Sequence, residues 1–195
     1  VLGSVKTTEV LNPVTMSFTP GPSLGTARNG APAVARRGRR EALVMGGWAD
    51  KRTEILDLVN WVSVPGPDMI ERRHGAVAVP LDESGRVIVI GGFNLTAAGG
   101  YLNSTEIYDP ETKSFSQGPS MSVRRNCPTA VRLDDRRILV IGGTGEGRQC
   151  HASTEILDIE SMQFSEGPTM GTPRCGAAAV KLADEQRVLV IGGIG

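Results

Sequence analysis

The feature that most constrains this chain is a diglycine that returns four times, at Gly46-Gly47, Gly91-Gly92, Gly142-Gly143 and Gly192-Gly193, in steps of 45, 51 and 50 residues. A period of this length decides architecture before local structure is argued, because each copy is one unit that buries its apolar face only against its neighbours. Each diglycine follows an apolar run: Ala42-Leu43-Val44-Met45, Val87-Ile88-Val89-Ile90, Ile138-Leu139-Val140-Ile141 and Val188-Leu189-Val190-Ile191. Runs of four residues rich in Val and Ile are too short for a buried helix and suit a strand covered on both faces. Thr-Glu keeps the same period at Thr8-Glu9, Thr53-Glu54, Thr105-Glu106 and Thr154-Glu155, and a Gly-Pro follows 12 residues after each Glu, at Gly21, Gly66, Gly118 and Gly167.

Three further strands are expected in each unit. Segments 53–58, 105–109 and 154–159 alternate polar and apolar residues and close on turn chemistry such as Asp109-Pro110. A short strand then carries Phe18, Phe115 or Phe164 three residues before Gly-Pro; the second copy has Ser63 there, with Trp61 one pleat earlier and so expected on the same face. The strand preceding each diglycine strand is expected at 31–35, 76–80, 128–132 and 177–181.

These coordinated features resemble the kelch repeat: diglycine after an apolar strand, Thr-Glu-Ile-Tyr-Asp-Pro-Glu-Thr at 105–112, the aromatic that follows, and Gly-Pro-Ser-Met at 118–121. The resemblance spans about Thr8 to Gly193 and implies an all-β kelch-type β-propeller of four four-stranded antiparallel blades, with the first strand of each blade innermost. The chain is then a single domain, 1–195, with units at 31–64, 76–116 and 128–165 and a fourth made of 8–20 with 177–193. Two closures are compatible with this phase. Pairing of 8–20 with 177–193 would seal a four-bladed ring, or the chain is an excerpt of a larger ring, which a start at Val1 rather than Met and the five to seven blades usual in kelch rings favour.

Composition narrows the function classes. Hydrophobic residues at 39% and charged residues at 22% exclude a disordered polyampholyte, and no apolar run reaches the roughly 18 residues of a membrane helix. Lys plus Arg (21) balances Asp plus Glu (21), so neither nucleic acid nor an anionic membrane is expected as partner. Cys127, Cys150 and Cys175 are an odd number of thiols without metal spacing, which points to a reducing, cytoplasmic setting. Against it stand two glycosylation triplets, Asn94-Leu95-Thr96 and Asn103-Ser104-Thr105.

The candidate binding residues repeat as well. Seven residues after each Gly of Gly-Pro stands an arginine, Arg28, Arg73, Arg125 and Arg174, just before the innermost strand and so at the channel mouth. Such guanidinium groups could grip carboxylates of an acidic partner, and kelch adaptors of ubiquitin ligases use positions of this kind so; recurrence in every unit argues equally for bonds to neighbouring blades. His74 adjoins Arg73 on the same loop. The loops after the diglycines differ in length, with 5, 12 and 10 residues at 48–52, 93–104 and 144–153, which is where a repeat scaffold places specificity. The basic run Arg36-Arg37-Gly38-Arg39-Arg40 falls on the opposite face as an expected solvated turn.

The function expected from these features is a non-catalytic protein-interaction module, an adaptor for a protein or peptide with acidic character, able to self-associate if the ring is incomplete. No catalytic residue, cofactor or metal ligand is expected. The alternatives are a kelch-type sugar-acid epimerase and a structural, actin-associated kelch segment; a copper radical oxidase lacks its Tyr and His ligands here.

Overall fold

The computed structural model describes residues 4–36, 39–96, 100–183 and 187–195. Apart from one 3-10 turn at Glu146–Arg148, its regular elements are strands. In chain order they are β1 (Glu9–Asn12), β2 (Ser17–Pro20), β3 (Ala33–Arg36), β4 (Glu41–Met45), β5 (Thr53–Asp57), β6 (Val62–Pro65), β7 (Val77–Pro80), β8 (Val87–Ile90), β9 (Thr105–Asp109), β10 (Ser114–Gln117), β11 (Thr129–Arg132), β12 (Arg137–Ile141), β13 (Thr154–Asp158), β14 (Gln163–Glu166), β15 (Ala178–Lys181) and β16 (Val188–Ile191).

Three complete antiparallel sheets form, β3-β4-β5-β6, β7-β8-β9-β10 and β11-β12-β13-β14, each in sequence order. The innermost strands β3, β7, β11 and β15 pack on one another in turn, so the sheets radiate as blades. The all-β, four-stranded blade architecture is as expected. The fourth blade is present as halves: β1-β2 and β15-β16 are separate two-stranded sheets, and no hydrogen bond joins them among the described residues. The pairing of 8–20 with 177–193, one of the two closures compatible with the sequence, is not among the strand pairings of the described residues.

The core lies between blades. On β8, Val87 and Val89 face Leu43, Met45 and Met69 of the preceding blade and its connection, while Ile88 and Ile90 face Ile138, Val140 and Leu157 of the following one. Successive strand residues point to opposite faces, so a strand sandwiched between two blades needs apolar residues at every position. That accounts for the unbroken Val-Ile-Val-Ile. β15 and β16, with a blade on one side only, are largely exposed.

The repeated motifs hold the strand ends. The hydroxyl of each motif threonine donates to the proline carbonyl of the following Gly-Pro: Thr8 to Pro22 at 2.9 Å, and Thr53 to Pro67, Thr105 to Pro119 and Thr154 to Pro168 at 2.7 Å. The first glycine of each diglycine sits at φ near 60° (60, 63 and 61° at Gly46, Gly91 and Gly142), where a Cβ would fall 2.7, 2.4 and 2.2 Å from the carbonyl oxygen of Arg73, Arg125 and Arg174. Glycine is obligatory there because the next interblade connection crosses at contact distance.

One expected placement is corrected. Trp61 precedes β6 in a turn with φ 57°, the position of Met16, Lys113 and Met162, and it is exposed rather than sharing the face of Phe115. Ser63 keeps the strand position, where its hydroxyl donates to Glu54 at 2.7 Å.

Candidate functional site

The four arginines lie in the connections between blades, and the structure gives three of them a carboxylate partner within the chain. Arg28, Arg73 and Arg125 are 8%, 1% and 0% exposed. Arg73 donates Nε to Glu106 at 2.8 Å and Nη1 to the carbonyls of Gly91 and Ser104, both at 2.9 Å. Arg125 repeats this with Glu155, Gly142 and Ser153, and Arg28 with Glu54, Gly46 and Arg52. The motif glutamates complete the arrangement by accepting amides of the same connection: Gly25 and Thr26 to Glu54, Ile70 and Glu71 to Glu106, Ser122 and Val123 to Glu155. The backbone carbonyls of Arg73, Arg125 and Arg174 meanwhile accept from Gly47, Gly92 and Gly143 of the blade behind. Arg73 and Arg125 are thus each bonded to two blades at once, and the carboxylates that Arg28, Arg73 and Arg125 grip belong to the protein. Arg174 differs: it is half-buried, its Nη1 donates to the Gly192 carbonyl at 2.6 Å, and it has no carboxylate partner among the described residues.

Electrostatics follow the geometry. Burial alone would raise the Glu54 carboxyl, but hydrogen bonds from Ser63, the Gly25 amide, Arg28 and the Thr26 amide outweigh it and hold the group below the ordinary carboxylate range. Burial pushes the Arg125 guanidinium below the usual arginine range against the opposing pull of Glu155. Burial, then the charge of Arg125, lowers His151, which is therefore neutral at pH 7; one of its ring nitrogens lies 3.2 Å from the Arg124 carbonyl.

What varies between blades is the layer above the arginines. The residue after each arginine (Asn29, His74, Asn126, Cys175) meets the residue after each diglycine (Trp48, Phe93, Thr144, Ile194): Trp48 N–H donates to Asn29 O at 3.0 Å, and the other three form antiparallel bridges. These positions are geometrically equivalent, and the pair of side chains differs in each. Trp48 stands 59% exposed with its ring edge-on to His74, centroids 5.0 Å apart, and Phe93 meets Tyr101 in the same way at 5.0 Å. His74 is also tied by Nδ1 to the Asn29 carbonyl, 3.2 Å away. The sequence reading included His74 but not Trp48, Phe93 or Tyr101; non-identity directly after each diglycine was the available signal.

The odd number of cysteines, read as pointing to a reducing setting, divides into one pair and one free thiol. Cys150 and Cys175 form a disulfide, Cα atoms 5.3 Å apart, leaving Cys127 free. It ties the loop after β12 to the entry of β15, a contact between blades that spacing along the chain does not reveal. Burial raises the Cys127 thiol, which keeps it protonated at neutral pH. Both glycosylation triplets have their asparagines engaged: Asn103 Nδ2 donates to Met121 O at 3.0 Å, and Asn94, 8% exposed, accepts from Thr96. Among the described residues no group of three His, Cys, Asp or Glu side chains is placed to hold a metal ion, and no helix is long and apolar enough to cross a membrane.

The fold is similar to the solved structure of YjhT, with a TM-score of 0.73 over 91% of this chain and 70% of that one, at 12% identity. Comparison with curated proteins gave no match. The kelch motif matches residues 72–122 and 125–171, one diglycine, one Thr-Glu and one Gly-Pro in each span. On that match and the radiating four-stranded blades, the chain belongs to the kelch-motif family.

Proposed function

We propose that the chain is a non-catalytic protein-interaction module that receives a peptide segment of its partner on the diglycine face, with Trp48 and His74 at the contact. Kelch repeats in general mediate protein–protein interaction. The observation that carries the reading is Trp48: an indole 59% exposed, oriented by His74, on a face whose scaffold repeats while its surface residues do not. With Arg28, Arg73 and Arg125 bonded internally, an acidic partner would meet Arg174 and the exposed Arg72, which lies one pleat from His74 in the same connection.

Peptide display against the immobilised full chain tests this. Selected peptides should lose about thirtyfold or more in affinity on Trp48→Ala, the effect of a hot-spot aromatic, with unfolding unchanged. Peptides that bind the Trp48→Ala variant as tightly as the parent overturn the reading.

A further inference from the structure

On the opposite face, one blade breaks the repeat in a coordinated way. Eight residues after the connection arginine the other units place leucine, Leu81, Leu133 and Leu182; the first complete blade places Arg36. Five residues before the diglycine the others place arginine, Arg86, Arg137 and Arg187; this blade places Glu41. Three residues after the motif threonine the others place leucine, Leu11, Leu56 and Leu157; the facing blade places Tyr108. The structure brings the three exceptions together. Arg36 Nη1 pairs with Glu41 Oε2, and the guanidinium carbon lies 5.5 Å from the centre of the Tyr108 ring.

Ion pairing alone does not complete this cluster. Arg36 is 5% exposed, yet its buried Nε has no hydrogen-bond partner among the described residues. A buried unpaired donor on a charged group is unfavourable unless something supplies the acceptor. Arg36 lines a cleft of about 430 Å³ between the two blades, together with Arg39 and Lys113, both exposed and neither paired with a carboxylate among the described residues. Among the described residues Glu41 is the only acid lining it, so three cations there face one carboxylate. Ile55, Val64 and Pro110 give the rest of the wall an apolar character, and the volume is within the range of small-molecule sites.

We propose that this cleft binds a small organic anion. Its oxyanion head is held by Arg36, Arg39 and Lys113, and its apolar body lies along Ile55, Val64 and Tyr108. The head chemistry, planar forks and a point cation around a partly desolvated position, suits phosphate or carboxylate. Its cationic end, at Arg36, Arg39 and Lys113, is on the face away from Trp48, and the site stands independently of the peptide-binding reading.

Calorimetric titration of the full chain with phenyl phosphate, inorganic phosphate and phenol tests it. Phenyl phosphate should bind at least about tenfold more tightly than either fragment, since head and body are both engaged. Benzoate run alongside identifies the preferred head, and tighter binding of either aromatic anion supports the site. Arg36→Leu combined with Glu41→Arg restores the residues of the other blades; it should keep the melting temperature and abolish binding. Arg39→Ala with Lys113→Gln, both at exposed positions, should weaken binding about tenfold without touching the buried pair. Absence of phenyl phosphate and benzoate binding at millimolar concentration, or binding unchanged in both variants, overturns the proposal.

Discussion

Arg125 and Glu155 meet between two blades with both side chains buried, Nε to Oε1 at 3.2 Å and Nη2 to Oε1 at 3.1 Å. Around that pair, Arg125 also holds the Gly142 and Ser153 carbonyls, and Glu155 holds the Ser122 and Val123 amides. The contact therefore fixes the connection between blades in place, and the same arrangement recurs at Arg73 with Glu106 and at Arg28 with Glu54.

Removing one partner should be far worse than any surface change. Arg125→Ala leaves Glu155 buried without its counter-charge and should destabilise the chain by about 3–5 kcal/mol. Urea denaturation measures this; a loss comparable to that of an exposed ion pair, under about 1 kcal/mol, would show that the pair is not structural.

The Glu54 carboxyl gives a pH dependence. Its folded-state pKa is depressed, so its contribution is fully present above the unfolded value and is lost as pH falls through the lower folded value. Stability should drop on acidification below about pH 4.5, and Ser63→Ala, which removes the leading favourable hydrogen bond, should make the drop smaller. Melting temperatures from pH 7 to pH 3 for the two proteins decide it; identical slopes would assign the acid sensitivity to other carboxylates.

Cys127 occupies a left-handed position, φ 49°, where the other connections place Gly30, Gly75 and Gly176, each at φ 64°. The backbone there forms a chain of hydrogen bonds around the axis, Gly75 N to Gly30 O, Cys127 N to Gly75 O and Gly176 N to Cys127 O. Cys127→Val should lose about 2 kcal/mol from left-handed strain in a β-branched residue, and Cys127→Gly should stay within about 1 kcal/mol of the parent. Equal effects of the two substitutions, measured by chemical denaturation, would place the cost elsewhere.

The disulfide predicts a thiol count. Titrated after unfolding without reductant, the chain should expose one thiol, Cys127, and three after reduction. Cys150→Ser, which opens a link across 25 residues, should reduce stability by about 2–4 kcal/mol under oxidising conditions. Three thiols without reductant would show that the link does not form.

The blades were legible because their reasons are local and repeated. Val87-Ile88-Val89-Ile90 can only be a strand buried on both faces, and a diglycine after it needs a backbone crossing at contact distance. The recurrence of Arg28, Arg73, Arg125 and Arg174 was legible too, but not its meaning: the pattern of a ligand-gripping ring and of an interblade staple is the same in one dimension. At three positions the arginines bond Glu54, Glu106 and Glu155, contacts that join residues 26 to 33 apart. Trp61 was misplaced for a smaller reason, since alternation assumes an unbroken strand and the turn before β6 reverses the backbone at that residue.

The sequence by itself determined the unit: four copies of a strand pattern, its glycines, and the threonine, glutamate and arginine that recur in each. Which residues face the solvent above the arginines, that Cys150 reaches Cys175, that Arg36 meets Tyr108, and that β1-β2 and β15-β16 stand apart were decided only in three dimensions. A repeat states what every blade needs in order to pack; the exceptions acquire meaning only from the neighbour each one meets, and neighbours in a radial stack lie tens of residues away along the chain.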